Sequence, residues 1–96
     1  MAPVRRLVVD VLKPHEPPLP TFAEQVADVR SVDAVCASLL ELDAEVQNVK
    51  LTFEGEDVDF VVVEEAITDL GGTVHSVDQV VAGEYLVEDR WTPQDD

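Results

Sequence analysis

The apolar residues of this 96-residue chain change their spacing from two to three-or-four and back, and they do so twice. In residues 4–13, VRRLVVDVLK, Leu7, Val9 and Val11 fall on one side and Arg6, Val8, Asp10 and Leu12 on the other. β-branched residues dominate, so this is a strand. Pro14 ends it, because proline has no N–H for the ladder. Residues 21–30, TFAEQVADVR, place Phe22, Val26 and Val29 at i, i+4 and i+7, one stripe of a helix. Thr21 and Glu24 have the spacing of a capping box, which predicts the helix start there. Alternation returns in 46–55, VQNVKLTFEG: Val49, Leu51 and Phe53 face one way, Lys50, Thr52 and Glu54 the other, and Gly55 ends the strand. A second helix follows in DFVVVEEAITDLGG. Asp57 or Asp59 caps it, Phe60, Val63, Ile67 and Leu70 form its stripe, and Gly71 stands just past its end. Val61 and Val62 widen that stripe, as extra core or as an exposed patch. Residues 73–82, TVHSVDQVVA, make a last long strand. EYLVED beyond Gly83 reads as a further short strand, and RWTPQDD as a tail anchored by Trp91.

One segment reads two ways. In SVDAVCASLLELDAE, Val32, Val35, Leu39 and Leu42 fit a helical stripe with Ser31 as its cap, and periodicity alone leans that way. As a strand it has two fairly apolar faces. The strand reading completes the order β-α-β-β-α-β, an α+β ferredoxin-like sandwich in which two helices cover one face of an antiparallel sheet. Length predicts a single domain over 1–96, with 84–96 as a C-terminal extension. A chain this short buries only about 60–65% of its unfolded surface, so self-association would add to a modest core.

Aspartate and glutamate number 21 against 6 lysines and arginines, a net charge of −15. Phosphate backbones need a basic surface, so nucleic acid is excluded as a partner, and anionic membrane is disfavoured for the same reason. The functional uses of such charge are a divalent cation or a basic partner. The acids spread from Asp10 to Asp96, however, which reads as solubility at high salt, where ions screen the self-repulsion. Cys36 is alone, so neither an internal disulfide nor a cysteine zinc site is expected, and a buried small hydrophobe is its expected role. No segment approaches the roughly 20 apolar residues that span a bilayer. Asp10 interrupts the first apolar run too early for a signal peptide, so a cytoplasmic protein is expected. No serine sits in a nucleophile elbow and no glycine-rich loop opens a helix.

Four stretches carry a resemblance: VVDVLKPHEP, LTFEGEDVDF, GGTVHSVDQVVAG and the closing TPQDD. Together they resemble DUF211, a family of small archaeal proteins of unknown function. The resemblance implies a ferredoxin-like fold, homo-oligomers and an archaeal source, a halophilic one given the acidity. It implies no activity, and it favours the strand for residues 32–43.

The strand order of that fold, 4-1-3-2, would bring His15, Glu16, Glu41, Asp43, Glu45 and His75 to one end of the sheet. His15, Glu16 and His75 are the candidate metal ligands, since two imidazoles and a carboxylate suit a divalent transition metal. Against this, the acidic hairpin stands roughly 14 Å from the last strand at ordinary strand spacing. His75 and Asp78 would face opposite ways on a regular strand, and His15 and Glu16 diverge in an extended segment. Asp10 and Lys50 form a predicted cross-strand pair on the face without helices. Around them Val8, Leu12, Leu40, Leu42, Thr52 and Val77 make that face too apolar to stay wet. It is expected to meet another subunit or the segment 84–91, with Val8, Leu12, Leu40, Tyr85 and Leu86 at the interface. The function this supports is a non-enzymatic homo-oligomeric module holding a small ligand or cation between subunits. The alternatives are a divalent-metal-binding protein built on His15 and His75, and an enzyme with its site at a subunit interface. No catalytic or cofactor-binding residue stands out, and a divalent cation is the one cofactor the residues would suit.

Overall fold

Strand β1 (Val4–Pro14) runs through the interior of a four-stranded sheet in the computed structural model, which describes residues 2–87. After it come α1 (Leu19–Ala27), β2 (Ala34–Leu42), β3 (Val46–Glu54), α2 (Phe60–Asp69) and β4 (Thr73–Ala82). The order across the sheet is β2-β3-β1-β4, and every neighbouring pair is antiparallel. This is the ferredoxin-like α+β fold.

Alternation explains the core. Leu7, Val9 and Val11 of β1 and Val49, Leu51 and Phe53 of β3 point to the helix side and are buried. Phe22 and Val26 of α1 and Val63 and Ile67 of α2 close over them. α1 lies toward β2 and α2 toward β4. The ambiguous segment is strand because Val35, Ala37 and Leu39 align with Phe53, Leu51 and Val49, packing one apolar face while β3 satisfies the backbone. Tertiary pairing overrides the helical spacing. Of the two residues that widen the α2 stripe, Val62 is half-buried and Val61 is exposed.

Several expectations are corrected. The first helix begins at Leu19, with Pro18 as N-cap and no side-chain cap bond, so Thr21 and Glu24 do not form a capping box. Proline fixes φ near the helical value and loses only an N–H that has no partner in a first turn. The proline run therefore enters the helix, and Phe22 N–H makes the first bond to Pro18 C=O at 2.9 Å. Ser31 caps no helix of its own segment; its Oγ accepts from Asp59 N–H at 3.0 Å. Asp59 caps α2 through Val61 N–H at 3.0 Å and Val62 N–H at 3.4 Å, worth about 1 kcal/mol. Gly71 has φ +89°, the left-handed helix stop its position predicts. Residues 84–87 form no strand. Arg5 Nε donates to Gly83 C=O at 2.8 Å, and Glu84, Tyr85 and Leu86, all exposed, line an open recess together with Arg5, Ala34 and Gly55. The rest of the expected short strand, and Trp91, lie outside the described residues.

Candidate functional site

The open sheet face is built from alternate residues of its strands. Arg6, Val8, Asp10 and Leu12 of β1 stand beside Glu54, Thr52, Lys50 and Asn48 of β3 in that order. Ala34, Cys36, Ser38 and Glu41 of β2 continue the rows. Two recesses divide this face. A broad one of about 600 Å³ is lined by Arg6, Val8, Cys36, Ser38, Lys50, Thr52, Glu54, Asp78 and Gln79. A smaller one of about 190 Å³ is lined by Asp10, Leu12, Glu41, Asp43, Val46, Asn48 and His75.

β4 reaches both recesses through irregularities. Its register against β1 shifts between Val8 and Val9 and again between Asp10 and Val11, leaving Asp78 and His75 as the extra residues. A bulged residue breaks the strict alternation of faces. His75 and Asp78 therefore lie on the same face, although their spacing of three predicts opposite ones. β2 has its own shift, between Leu39 and Glu41. Beyond Leu40 the faces exchange: Glu41 aligns with Asn48 on the open face, and Leu42 aligns with Gln47 and Lys13 on the helix side. Val77 aligns with buried Val9. Leu42 and Val77 thus leave the set expected on the open face, while Val8, Leu12 and Thr52 remain in it.

The polar contacts also differ in detail from expectation. Asp10 and Lys50 align in register, but Asp10 takes its hydrogen bond from Asn48 Nδ2. Among the described residues the ion pair is Arg6 Nε to Glu54 Oε2, at 2.9 Å. It is partly exposed, which limits it to about 1 kcal/mol. Cys36 is exposed on the open face, where a buried hydrophobe was expected. Edge strands leave one face of each residue to solvent, and β2 is an edge.

The corner after β1 carries His15 and Glu16, both exposed. A His15 ring nitrogen, Nε2, lies 3.0 Å from Asp43 C=O, so the corner is tied to the β2–β3 turn. His75 lies in the small recess with the Asp43 side, so the fold brings both histidines to the region of one hairpin. Among the described residues no three His, Cys, Asp or Glu side chains are disposed to hold a metal ion. Glu16 contributes through charge, acting on Lys13.

Lys13 is the residue that sequence patterning misses. It ends a strand, where a lysine ordinarily reaches solvent, yet it is fully buried. Its Nζ donates to Pro14 C=O at 2.8 Å and to Gln47 Oε1 at 3.0 Å, and lies 5.6 Å from the centre of the Phe22 ring. Burial lowers its pKa from the ordinary 10.5, and the charge of Glu16 offsets part of that. The unfolded chain keeps this proton up to about pH 10.5, whereas the folded chain releases it earlier. Between those values unfolding takes up a proton, so this group's contribution to stability rises with pH and is greatest above 10.5. Denaturant unfolding of the wild type and Lys13→Met should show their difference shifting in favour of the wild type as pH rises through that window. A flat difference contradicts the assignment.

The comparisons with known proteins place this chain in a family. The family model DUF211, described as uncharacterized ArCR, matches residues 5–96. The chain is 46% identical over 92 residues to an uncharacterized protein of Methanocaldococcus jannaschii, MJ0319, covering 96% of this chain and 95% of that one. On its sequence, this chain belongs to the DUF211 family, whose function is unknown.

Proposed function

We propose that this chain is a homo-oligomeric module in which two copies stack through their open sheet faces and enclose a small cationic ligand. One observation carries the reading: the charges on that face are self-complementary. Arg6 stands opposite Glu54 and Asp10 opposite Lys50, each pair across the β1–β3 seam. A two-fold axis running along that seam lays each residue over the partner strand of the second copy. Lys50 then meets Asp10 of the other chain and Arg6 meets its Glu54, while Glu41 of edge β2 approaches His75 of edge β4. Isologous contacts need this property, in which every pair occurs twice. Opposite charges set the register, and Val8, Leu12 and Thr52 supply apolar area between them. With a net charge of −15 per chain, a contact that uses two of the six basic residues is among the few that two copies can share.

The small recess is the ligand space of this reading. Asp10, Glu41, Asp43, Asn48 and His75 line the recess without converging on a metal ion within one chain. Stacking would bring the second copy's set against them, oxygen ligands of the kind that hard divalent cations take with a nitrogen beside them. Stacking would close the recess over its ligand. The metal reading thus rests on His75 with the hairpin acids; His15 meets that hairpin at the Asp43 carbonyl, and neither His15 nor Glu16 lines the recess. Light scattering of chain purified without chelator, joined to elemental analysis of the same peak, tests both parts. An assembly carrying near-stoichiometric divalent cation, and losing mass when chelated, supports the reading. A metal-free monomer in high salt overturns it.

A further inference from the structure

The broad recess on the open face is lined by charges of both signs. Two of them neutralise each other, since Arg6 Nε holds Glu54 Oε2 at 2.9 Å. The other two, Lys50 and Asp78, are exposed, and among the described residues neither enters an ion pair. β1 lies between their strands, so they stand two strand spacings apart, roughly 10 Å between backbones. Asp78 reaches this face because β4 bulges there, and bulges re-aim side chains in this way. Ser76 Oγ donates to Asp78 Oδ1 at 2.7 Å, which fixes the carboxylate on the β4 side. On the other side Ser38 aligns with Lys50, and Thr52 stands two residues along the same strand, so hydroxyls flank the ammonium. Between the two sides the floor is apolar, with Val8 buried in it.

We infer that this recess binds a small zwitterion with an apolar body, an α-amino acid of the size and polarity of leucine, its carboxylate at Lys50 and its ammonium at Asp78. Ser38 and Thr52 add donors for the carboxylate, and Val8 receives the apolar side chain. At about 600 Å³ the recess lies within the range of small-molecule sites. Charge decides the class of ligand. At −15 the chain repels a free anion, and a free cation meets Arg6 and Lys50 in the recess. A zwitterion carries no net charge and gives each unpaired group a charge-assisted hydrogen bond. The site is complete within one chain. It shares Lys50 with the stacked faces, so a second copy and the ligand compete for that ammonium.

Cys36 lines the recess, is exposed and is the one cysteine of the chain, so its alkylation rate reports occupancy. Leucine should slow alkylation by iodoacetamide. 4-Methylpentanoate, which lacks the ammonium, and 3-methylbutylamine, which lacks the carboxylate, should each need at least about tenfold more, the cost of one lost hydrogen bond to a charged group. Lys50→Met should weaken leucine and 4-methylpentanoate about tenfold and leave 3-methylbutylamine unchanged. Asp78→Asn should weaken leucine and 3-methylbutylamine and leave 4-methylpentanoate unchanged. Both residues are exposed, so neither variant opens the core. Alkylation that leucine does not slow, or protection that ignores both substitutions, overturns the inference. Leucine should also bind more weakly as protein concentration rises and stacked faces compete for Lys50. Charge-dependent binding that ignores protein concentration leaves the zwitterion site standing and counts against the stack.

Discussion

Gly55→Ala is expected to lower the unfolding free energy by about 3 kcal/mol, the upper part of the range for forcing atoms into filled space. A Cβ built on Gly55 collides with the Ser31 carbonyl oxygen, a backbone atom, and stands 3.3 Å from Val58 Cγ2 and 3.4 Å from Asp33 N. The loop cannot easily give way. Ser31 already holds φ +82°, unusual for a residue with a side chain. Its Oγ is engaged by Asp59 N–H, and Asp33 N–H donates to Glu54 C=O at 2.8 Å, so moving the loop loosens both the start of α2 and the end of β3. For a domain of this size such a loss lowers the melting midpoint by roughly 12–24 °C. A calorimetric shift under about 3 °C would show that the loop relaxes freely.

Lys50→Glu should weaken self-association roughly a hundredfold, since it replaces two attractions by two like-charge contacts in one symmetric interface. Lys50 is exposed, and among the described residues its side chain makes no hydrogen bond or ion pair that the change would break. The isolated fold should therefore keep its stability within about 0.5 kcal/mol, as for other surface changes. Measuring dissociation by sedimentation alongside denaturant unfolding separates the two effects. Unchanged association would remove Lys50 from the interface and with it the proposed axis.

Much of the fold was legible because β1, β3 and β4 alternate and α2 carries both its cap and its stop in the chain. β2 was harder. Val35 and Ala37 pack toward the core on its inner side, while Leu39, Leu40 and Leu42 stay exposed around the register shift, so apolar residues fall on both faces when alternation is counted along the chain. The candidate site was less legible than the fold for a related reason. A bulge adds a residue without a composition of its own, and the shifts at His75, Asp78 and Leu40 decide which side chains share the open face. Alternation counted from the sequence therefore puts Leu42 and Asp78 on the wrong sides. Lys13 and Cys36 invert residue-type averages: the lysine lies under α1 and is buried, while the cysteine lies on an edge and is exposed. Burial of this kind comes from position in the sheet, which residue type does not encode.

The stacked faces make one geometric claim that cross-linking reads directly: position 50 of one chain lies over position 10 of the other. Two chains would be prepared, Lys50→Cys and Asp10→Cys, each with Cys36→Ser so that the new thiol is alone. A mixed pair keeps one native Lys50–Asp10 contact and presents one thiol opposite another. A short bis-maleimide is predicted to join the mixed chains in preference to either chain with itself. If the mixture associates and yields no 50-to-10 link, or only links between like chains, the two copies do not meet along the β1–β3 seam.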